Sequence, residues 1–124
     1  MSDHVAFISG SGRNIGRAIA LELAKAGCSI ITNGSRNHDA GEAVAAECAA
    51  LGVEAMYIGG TVGDGASVRE MADIAIKQFG KVDIVVNNAA VRPETPFLEL
   101  EEDEWHEVLG INMHATYHLS LIHI

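Results

Sequence analysis

The residues with the clearest capacity for chemistry lie near the N-terminus, in the stretch Ser9 to Gly16, which reads Ser-Gly-Ser-Gly-Arg-Asn-Ile-Gly. An apolar run, Val5 to Ile8, precedes this stretch, and a segment with helical spacing, Arg17 to Ala26, follows it. Glycines let a backbone approach a phosphate without Cβ clashes, and the first amides of a helix attract an anion. The stretch therefore predicts a phosphate-binding turn in a βαβ unit. A flexible Gly-Ser connector is the alternative that stays open.

Two further polar features interrupt apolar segments. The turn Asn87 to Ala90 follows the apolar run Val82 to Val86, and Asn112 lies within an otherwise apolar helical stripe. That stripe consists of Trp105, Val108, Leu109, Asn112 and Thr116. An amide buried without a partner costs about 1 to 3 kcal/mol. We therefore expect Asn112 either to act in a site or to be a core asparagine that bonds to backbone.

The elements that must position these residues alternate between short apolar runs and helical patterns. Strands are predicted at Val5 to Ile8, Ser29 to Thr32, Glu54 to Ile58 and Val82 to Val86. The intervening helices should bury Ile15, Ile19, Leu23 and Ala26, then Val44, Cys48 and Leu51, and then Val68, Met71, Ala72, Ala75 and Phe79. Gly27, Gly52 and Gly80 serve as stops, and Asp39 with Glu42 three residues later is typical of an N-cap pair.

This alternation predicts an α/β fold, a Rossmann-like doubly wound parallel sheet with the strand order 3-2-1-4. Ligands of such sheets bind beyond the carboxyl ends of the strands, where the strand order reverses. The turns Ser9 to Gly16 and Asn87 to Ala90 would both emerge at that point, so we expect them to form one crevice.

The last predicted helix starts near Glu101 to Glu104, where acidic side chains suit the positive helix end. Beyond Glu107 it is apolar on its other sides as well, through Ile111, Met113, Ala115 and Tyr117. Such a helix needs a covering surface, and a subunit contact is one way to supply it. We expect the full-length protein to be a homo-oligomer, a dimer or a tetramer.

Composition excludes several classes of function. A chain of 124 residues suits one domain, and a formal net charge of −9 argues against a nucleic-acid partner. Neither a basic leader nor an apolar run of about 20 residues is present, so we predict a cytoplasmic protein with no membrane partner. Cys28 and Cys48 are expected to be reduced. His114 and His118 have no evident third ligand, so no metal site is predicted.

The phosphate-binding turn resembles the Thr-Gly-x-x-x-Gly-x-Gly loop of the short-chain dehydrogenase/reductase family, with Ser9 in place of threonine and Asn14 in place of the middle glycine. Asparagine tolerates left-handed backbone angles and also serves as a helix N-cap, so both geometries are open to Asn14. The run Phe79 to Ala90 is similar to the family's fourth strand and its Asn-Asn-Ala-Gly turn, with Ala90 replacing glycine. Trp105, Val108 and the pair Ile111-Asn112 resemble the helix that carries the family's catalytic asparagine.

The resemblance implies a role for each matching position. Asn112 would hold a water in the catalytic proton relay, and Asn88, Ala89 and Ala90 would line the adenosine side of a nicotinamide dinucleotide. The pyrophosphate would lie on Gly10, Ser11, Gly12, Arg13, Asn14, Ile15 and Gly16. Thr61, followed by Val62, matches the place where the family has an aspartate against the adenine.

The cofactor is predicted to be NADP(H) rather than NAD(H). An acidic residue that binds the ribose 2′-hydroxyl is expected just after the second strand, but the sequence there reads Asn33-Gly34-Ser35-Arg36. Arg36 and Arg13 could meet a 2′-phosphate, and the Ser35 hydroxyl could add a hydrogen bond. The alternative is that both arginines are solvated surface residues.

By the same resemblance, the parent protein would transfer hydride between the cofactor and a small carbonyl or alcohol substrate, in the manner of a 3-oxoacyl reductase. The family's serine and Tyr-x-x-x-Lys residues lie downstream of the asparagine, and this chain ends before any of them; Tyr117 is not a substitute, since Leu121 stands four residues after it. We therefore expect a sheet truncated after the fourth strand and the following helix, in a fragment that is itself inactive. A dinucleotide-binding module or sensor without catalysis is the alternative.

The final residues, 119–124, read Leu-Ser-Leu-Ile-His-Ile and follow the native part, residues 1–118, without a helix stop signal. The codons CTG TCT CTT ATA CAC ATC, which transposase-based library preparation attaches to DNA fragments, encode this hexapeptide. We expect the segment to be foreign to the protein. Natural helix residues are the alternative, and the nucleotide sequence distinguishes the two.

Overall fold

A four-stranded parallel sheet organises the chain. The computed structural model describes residues 3–123, with β1 (Val5–Ile8), β2 (Ser29–Gly34), β3 (Ala55–Gly59) and β4 (Ile84–Val86) in the order β3-β2-β1-β4. Phe7 of β1 is in register with Ile31 on one side and Val85 on the other. The predicted strand order is confirmed, and it reverses between β1 and β4.

Helices cover both faces of this sheet. Side chains alternate along β1, so that Ala6 and Ile8 pack towards α1 (Asn14–Lys25) and α2 (His38–Ala49), whereas Val5 and Phe7 pack towards α3 (Gly65–Phe79). Each face has its own cluster of buried side chains. The architecture is therefore Rossmann-like and doubly wound, as predicted. Within the described residues, no helix has the length and apolar character needed to cross a membrane.

A change of helical pitch divides the segment after β4. A 3₁₀ turn (Phe97–Glu99) leads to α4 (Glu102–Leu109), a π-helical turn (Gly110–His114), α5 (Ala115–Ser120) and a final 3₁₀ turn (Leu121–His123). The buried positions Gly110 and Ala115 are therefore five residues apart, one more than α-helical spacing gives. A Cβ on Gly110 would lie 3.3 Å from the Gly63 carbonyl oxygen, so this turn packs directly on backbone.

The π-helical turn overturns the predicted stripe. Trp105 is 51% exposed in α4, which buries none of its residues, and Asn112 and Thr116, within and after the π-helical turn, are exposed as well. Ala115, on one of the sides for which a covering surface was predicted, is buried beside Leu119.

Several boundaries and faces also differ from prediction. The N-cap of α2 is Asn37, which accepts a hydrogen bond from the Ala40 amide, rather than Asp39. Leu51 is 45% exposed because α2 ends before it. Ile15 is 70% exposed because it faces the crevice described below, and α1 instead buries Gly16, Ala20 and Ala24. The strand β4 is shorter than expected, although Val82 is buried.

Two expectations concern less central residues. Cys28 and Cys48 are free thiols buried in the cluster beneath α1 and α2, and burial raises the pKa of Cys48. Of residues 119–124, Leu119 is buried in the cluster that contains residues of α3, whereas Ile124 lies outside the described residues, as do Met1 and Ser2. The foreign origin of this segment stays a prediction about its codons.

Candidate functional site

A crevice of about 310 Å³ opens at the carboxyl ends of the strands. It lies where the strand order reverses, as predicted. Ten of the predicted cofactor residues line it: Gly10, Arg13, Asn14, Ile15, Ser35, Thr61, Val62, Asn88, Ala89 and Ala90. Five residues that were not predicted as site residues also line it: Asn33, Gly34, Gly60, Val91 and Ile111.

The glycines of the first turn are required by close contacts. Gly10 has φ +61°, and a Cβ there would lie 2.8 Å from the Ala89 Cα atom. A Cβ on Gly16 would lie 2.5 Å from Asn88 Nδ2 and 2.6 Å from the Gly10 carbonyl oxygen. Any side chain at either position would therefore separate the turn after β1 from the turn after β4.

Three predicted residues shape the crevice from behind instead of lining it. The buried Ser11 hydroxyl donates to the Ile8 carbonyl at 2.8 Å and accepts from the Asn33 amide at 2.9 Å. Gly12 packs on α2, where a Cβ would lie 3.1 Å from Ala40 Cβ. Gly16 is buried in the first turn of α1.

The N-terminus of α1 differs from those of α2 and α3. Asn37 and Asp64 cap α2 and α3 through side-chain oxygens, whereas within the described residues no side chain caps α1 at Arg13. Asn14 adopts the left-handed conformation with φ +51°, which decides between its two predicted geometries. An uncapped helix start beside a crevice leaves backbone amide donors that an anion could accept.

Ser9 and Asn88 fix the two turns to each other. The Ser9 hydroxyl accepts from the Asn88 and Ala89 amides, both at 3.0 Å, and donates to the Val86 carbonyl at 3.3 Å. The Asn88 side chain donates to the carbonyls of Ser9 at 3.2 Å and Gly10 at 3.0 Å. The hydroxyl at position 9 therefore has a structural role, because it joins the two turns, and serine can fill that role.

Asn33 lines the crevice, although no sequence motif predicted it as a site residue. Its side chain is 1% exposed, accepts from the Gly10 amide at 3.4 Å, and donates to the carbonyls of Ile58 at 3.0 Å and Gly60 at 3.1 Å. It therefore joins the ends of β1, β2 and β3. The available signal was a carboxamide at the end of an apolar strand, the same pattern that drew attention to Asn88.

A side cavity adjoins the crevice and shares Ser35, Thr61 and Ile111 with it. Arg36 lines this side cavity and forms an ion pair with Glu107 of α4. Arg13 lines the crevice itself. The two predicted arginines thus lie in adjoining spaces, and neither position is remote from the turn after β2.

Thr61 and Val62, which follow β3, do not present a carboxylate to the crevice as the family's aspartate would. The Thr61 hydroxyl accepts from the Gly63 amide at 3.2 Å, so it stabilises its own turn, and Val62 is 3% exposed. Nearby, the Tyr57 hydroxyl donates to the Gly34 carbonyl at 2.9 Å, which anchors the start of the turn after β2. Burial, followed by the charge of Glu42, raises the pKa of Tyr57.

Asn112 lies beside the crevice and reaches it through Val91. Its amide oxygen accepts from the Val91 N–H and its NH₂ group donates to the Val91 carbonyl, both at 2.8 Å. The predicted bonding to backbone is therefore present, but on an exposed side chain and not in the core. Within residues 3–123, no group of three or more His, Cys, Asp or Glu side chains is placed to hold a metal ion.

Comparison with known proteins gives consistent matches. A family model described as short chain dehydrogenase matches residues 4–123. The 3-oxoacyl-(acyl-carrier-protein) reductase FabG of Staphylococcus epidermidis is 38% identical over 112 residues, which cover 90% of this chain and 46% of that protein. The chain thus spans about half the length of the curated relatives it matches.

Solved structures match over nearly the whole chain. A short chain dehydrogenase from Burkholderia cenocepacia J2315 in complex with NADP has a TM-score of 0.91 at 30% identity, covering 98% of this chain and 49% of that one. A metagenomic short-chain oxidoreductase in complex with NADP has a TM-score of 0.90 at 29% identity, covering 98% and 55%.

Proposed function

Because the chain belongs to the short-chain dehydrogenase family, we propose that it is the dinucleotide-binding part of an oxidoreductase that uses NADP(H) and acts on a small carbonyl or alcohol substrate. A 3-oxoacyl thioester is the substrate class suggested by the staphylococcal relative. The alternative is that the protein binds a dinucleotide as a module or sensor and catalyses no reaction.

The observation that carries the proposal is the uncapped start of α1 beside a turn that tolerates no side chain at Gly10 or Gly16. Backbone amides at such a turn suit a pyrophosphate. We propose that the pyrophosphate lies on residues 10–16 and the adenosine between Thr61-Val62 and Asn88 to Ala90. When bound, the nicotinamide gives or takes a hydride, which is chemistry that side chains alone do not supply.

Asn112 is proposed to hold a water for proton transfer. The oxygen and the NH₂ group of its side-chain amide each make one hydrogen bond to Val91. An amide oxygen has two lone pairs and an NH₂ group has two hydrogens, so each retains capacity for one more partner. The exposed side chain can therefore bind a water while it fixes the loop after β4.

The preference for NADP(H) is supported by Arg13 and Arg36 near the turn after β2 and by the NADP in the two solved relatives. The predicted consequence is a loss of NADPH affinity in Arg36→Ala, with NADH affinity nearly unchanged. Equal or better catalytic efficiency with NAD, unaffected by Arg36→Ala, would contradict this preference.

The decisive experiment is to determine the complete open reading frame at this locus and assay its product. We expect a Tyr-x-x-x-Lys downstream of Asn112 and NADPH-dependent reduction of 3-oxoacyl thioesters. Dinucleotide binding without turnover, in a frame that lacks those residues, would establish the sensor instead. The same nucleotide sequence shows whether residues 119–124 have the adapter codons.

A further inference from the structure

The ion pair formed by Arg36 and Glu107 lines the side cavity. It joins the turn after β2 to α4, residues that are far apart in sequence but adjacent in the structure. Because the side cavity shares Ser35, Thr61 and Ile111 with the crevice, Arg36 sits at the margin of the dinucleotide site. Any anionic group that binds Arg36 must therefore compete with the Glu107 carboxylate.

Glu107 is the carboxylate of the side cavity that is committed to Arg36. The other acidic side chain there, Asp64, accepts a hydrogen bond from the Ser67 amide at 3.1 Å and caps α3. His106 also lines the cavity, but its ring faces Glu102 at 3.3 Å. The charge balance at Arg36 is therefore governed by Glu107.

The ion pair is weak enough to exchange partners. The side chain of Arg36 is 77% exposed and that of Glu107 is 43% exposed, and pairs of this kind contribute little to stability. A phosphate monoester carries more charge than a carboxylate and offers three acceptor oxygens. Arginine binds such a group through charge-assisted hydrogen bonds, so a phosphate would compete with the Glu107 carboxylate for Arg36.

We propose that Glu107 is a specificity-determining residue, whose carboxylate competes with the cofactor's 2′-phosphate for Arg36 and so weakens the preference for NADP(H) over NAD(H). The inference rests on the proposed dinucleotide-binding function. It assigns to α4 a part in cofactor choice that the turn after β2 would otherwise have alone.

The test measures binding of two probes that differ only in the phosphate, adenosine 2′,5′-bisphosphate and adenosine 5′-monophosphate, to the product of the complete open reading frame. Glu107→Gln should bind the bisphosphate about two- to fivefold more tightly, the range expected for a surface ion pair, with the monophosphate unchanged. The gain should shrink as salt is added. Glu102→Gln removes the same charge from the same helix, away from Arg36, and serves as the matched control.

A double-mutant cycle separates competition from a general charge effect. Combined with Arg36→Ala, Glu107→Gln should add nothing to bisphosphate binding. Weaker or unchanged bisphosphate binding in Glu107→Gln, or a gain that persists without Arg36, would overturn the inference. If the unaltered protein binds neither NADPH nor NADH, it is the proposed function that fails.

Discussion

The three strand–helix units up to residue 80 and the segment after β4 bury their apolar side chains to different extents. In the first region all of β1 is buried, and α1, α2 and α3 each bury three or more residues. In the second, none of the described residues 102–109 is buried. Of the ten large apolar side chains that are exposed within residues 3–123, six lie between Phe97 and Leu121.

The difference follows from the sheet. The strands β1 and β2 each have two neighbours, whereas β4 pairs with β1 alone. From the helices after β4, Ala115 and Leu119 belong to the buried cluster that also contains residues of α3 and the sheet. The turn after β1 belongs to the first region, hereafter the covered region, and Asn112 belongs to the second, hereafter the uncovered region. Cofactor affinity should therefore depend on contacts already complete in this chain, whereas association and catalysis should depend on what covers the second region.

The largest effect is expected where the two regions touch at Gly16. A Cβ there would overlap Asn88 Nδ2 and the Gly10 carbonyl, so Gly16→Ala must separate the turns after β1 and β4. Overpacking of this kind costs about 1 to 3 kcal/mol of unfolding free energy. We expect NADPH affinity, measured by calorimetry on the product of the complete reading frame, to fall by at least about tenfold.

Gly52→Ala is the control for this variant. Gly52 also has a positive φ, +99°, but nothing lies within 4 Å of its Cβ position. The substitution should lower stability by about 1 kcal/mol through backbone strain and leave NADPH affinity unchanged. Equal loss of affinity in both variants would mean that the contact at Asn88 does not govern the turn.

The next effect is self-association of the 124-residue chain. Expressed alone, it should form aggregates or a loosely packed species without dehydrogenase activity, because apolar side chains of the second region face water. Replacing Phe97 with serine and Leu98 with lysine, at positions 80% and 95% exposed, should reduce association measured by gel filtration. The same changes at Ile74 and Ile76 of α3 should help less.

A sharp monomeric peak with cooperative thermal unfolding would contradict the association prediction. Measurable turnover by the chain alone would contradict the predicted inactivity. An equal benefit from the α3 substitutions would remove the distinction between the two regions.

Sequence patterns predicted the covered region better than the uncovered one. Val5 to Ile8 is a strand with the predicted bounds, and the order 3-2-1-4 is confirmed, because unbroken apolar runs between helices leave few topologies. Errors there were local. Asn37 caps α2 in place of Asp39. Ile15 was predicted to be buried but is exposed. An apolar residue that faces a crevice gives the same sequence signal as one that faces a core.

The prediction for the second region was wrong for a different reason. The predicted stripe through Asn112 assumed one helical pitch, but the π-helical turn at Gly110–His114 shifts every later position by one residue. Within that turn Gly110 packs closely on Gly63, a tertiary contact between residues distant in sequence. The contribution of Asn33 was missed for the same reason, since its partners lie on β3 and in the turn after β1.

Asn112→Ala should sharpen the comparison with a moderate effect. It removes two hydrogen bonds to Val91 at an exposed position, so we expect unfolding free energy to fall by about 1 kcal/mol. Turnover of the complete protein should fall by at least about tenfold if Asn112 also holds the proposed water. Asn87→Ala, an exposed amide in the turn after β4, is the control and should leave turnover nearly unchanged.

The smallest effect is expected from Asp83, which joins the amino end of β1 to that of β4, the strand that leads into the uncovered region. Its carboxylate accepts from the Val5 amide at 2.7 Å, and its own amide donates to the Val5 carbonyl at 2.9 Å. The hydrogen bond from Val5, with a further contribution from Lys81 at 3.2 Å, lowers the pKa of Asp83. A carboxyl whose pKa is lower in the folded state stabilises the fold above its unfolded pKa of about 3.9.

That stabilisation is lost as pH falls through the folded-state pKa of Asp83. Asp83→Asn should therefore lower the urea midpoint at pH 7, and the difference from the unaltered protein should narrow progressively below about pH 4. Asp73→Asn, on the exposed face of α3, is the matched control and should leave the urea midpoint at pH 7 nearly unchanged. A difference for Asp83→Asn that stays constant between neutral and acid pH would show that the carboxylate charge contributes nothing to the joint between β1 and β4. The backbone pairing of Val5 with Asp83 would then hold the uncovered region to the covered one by itself.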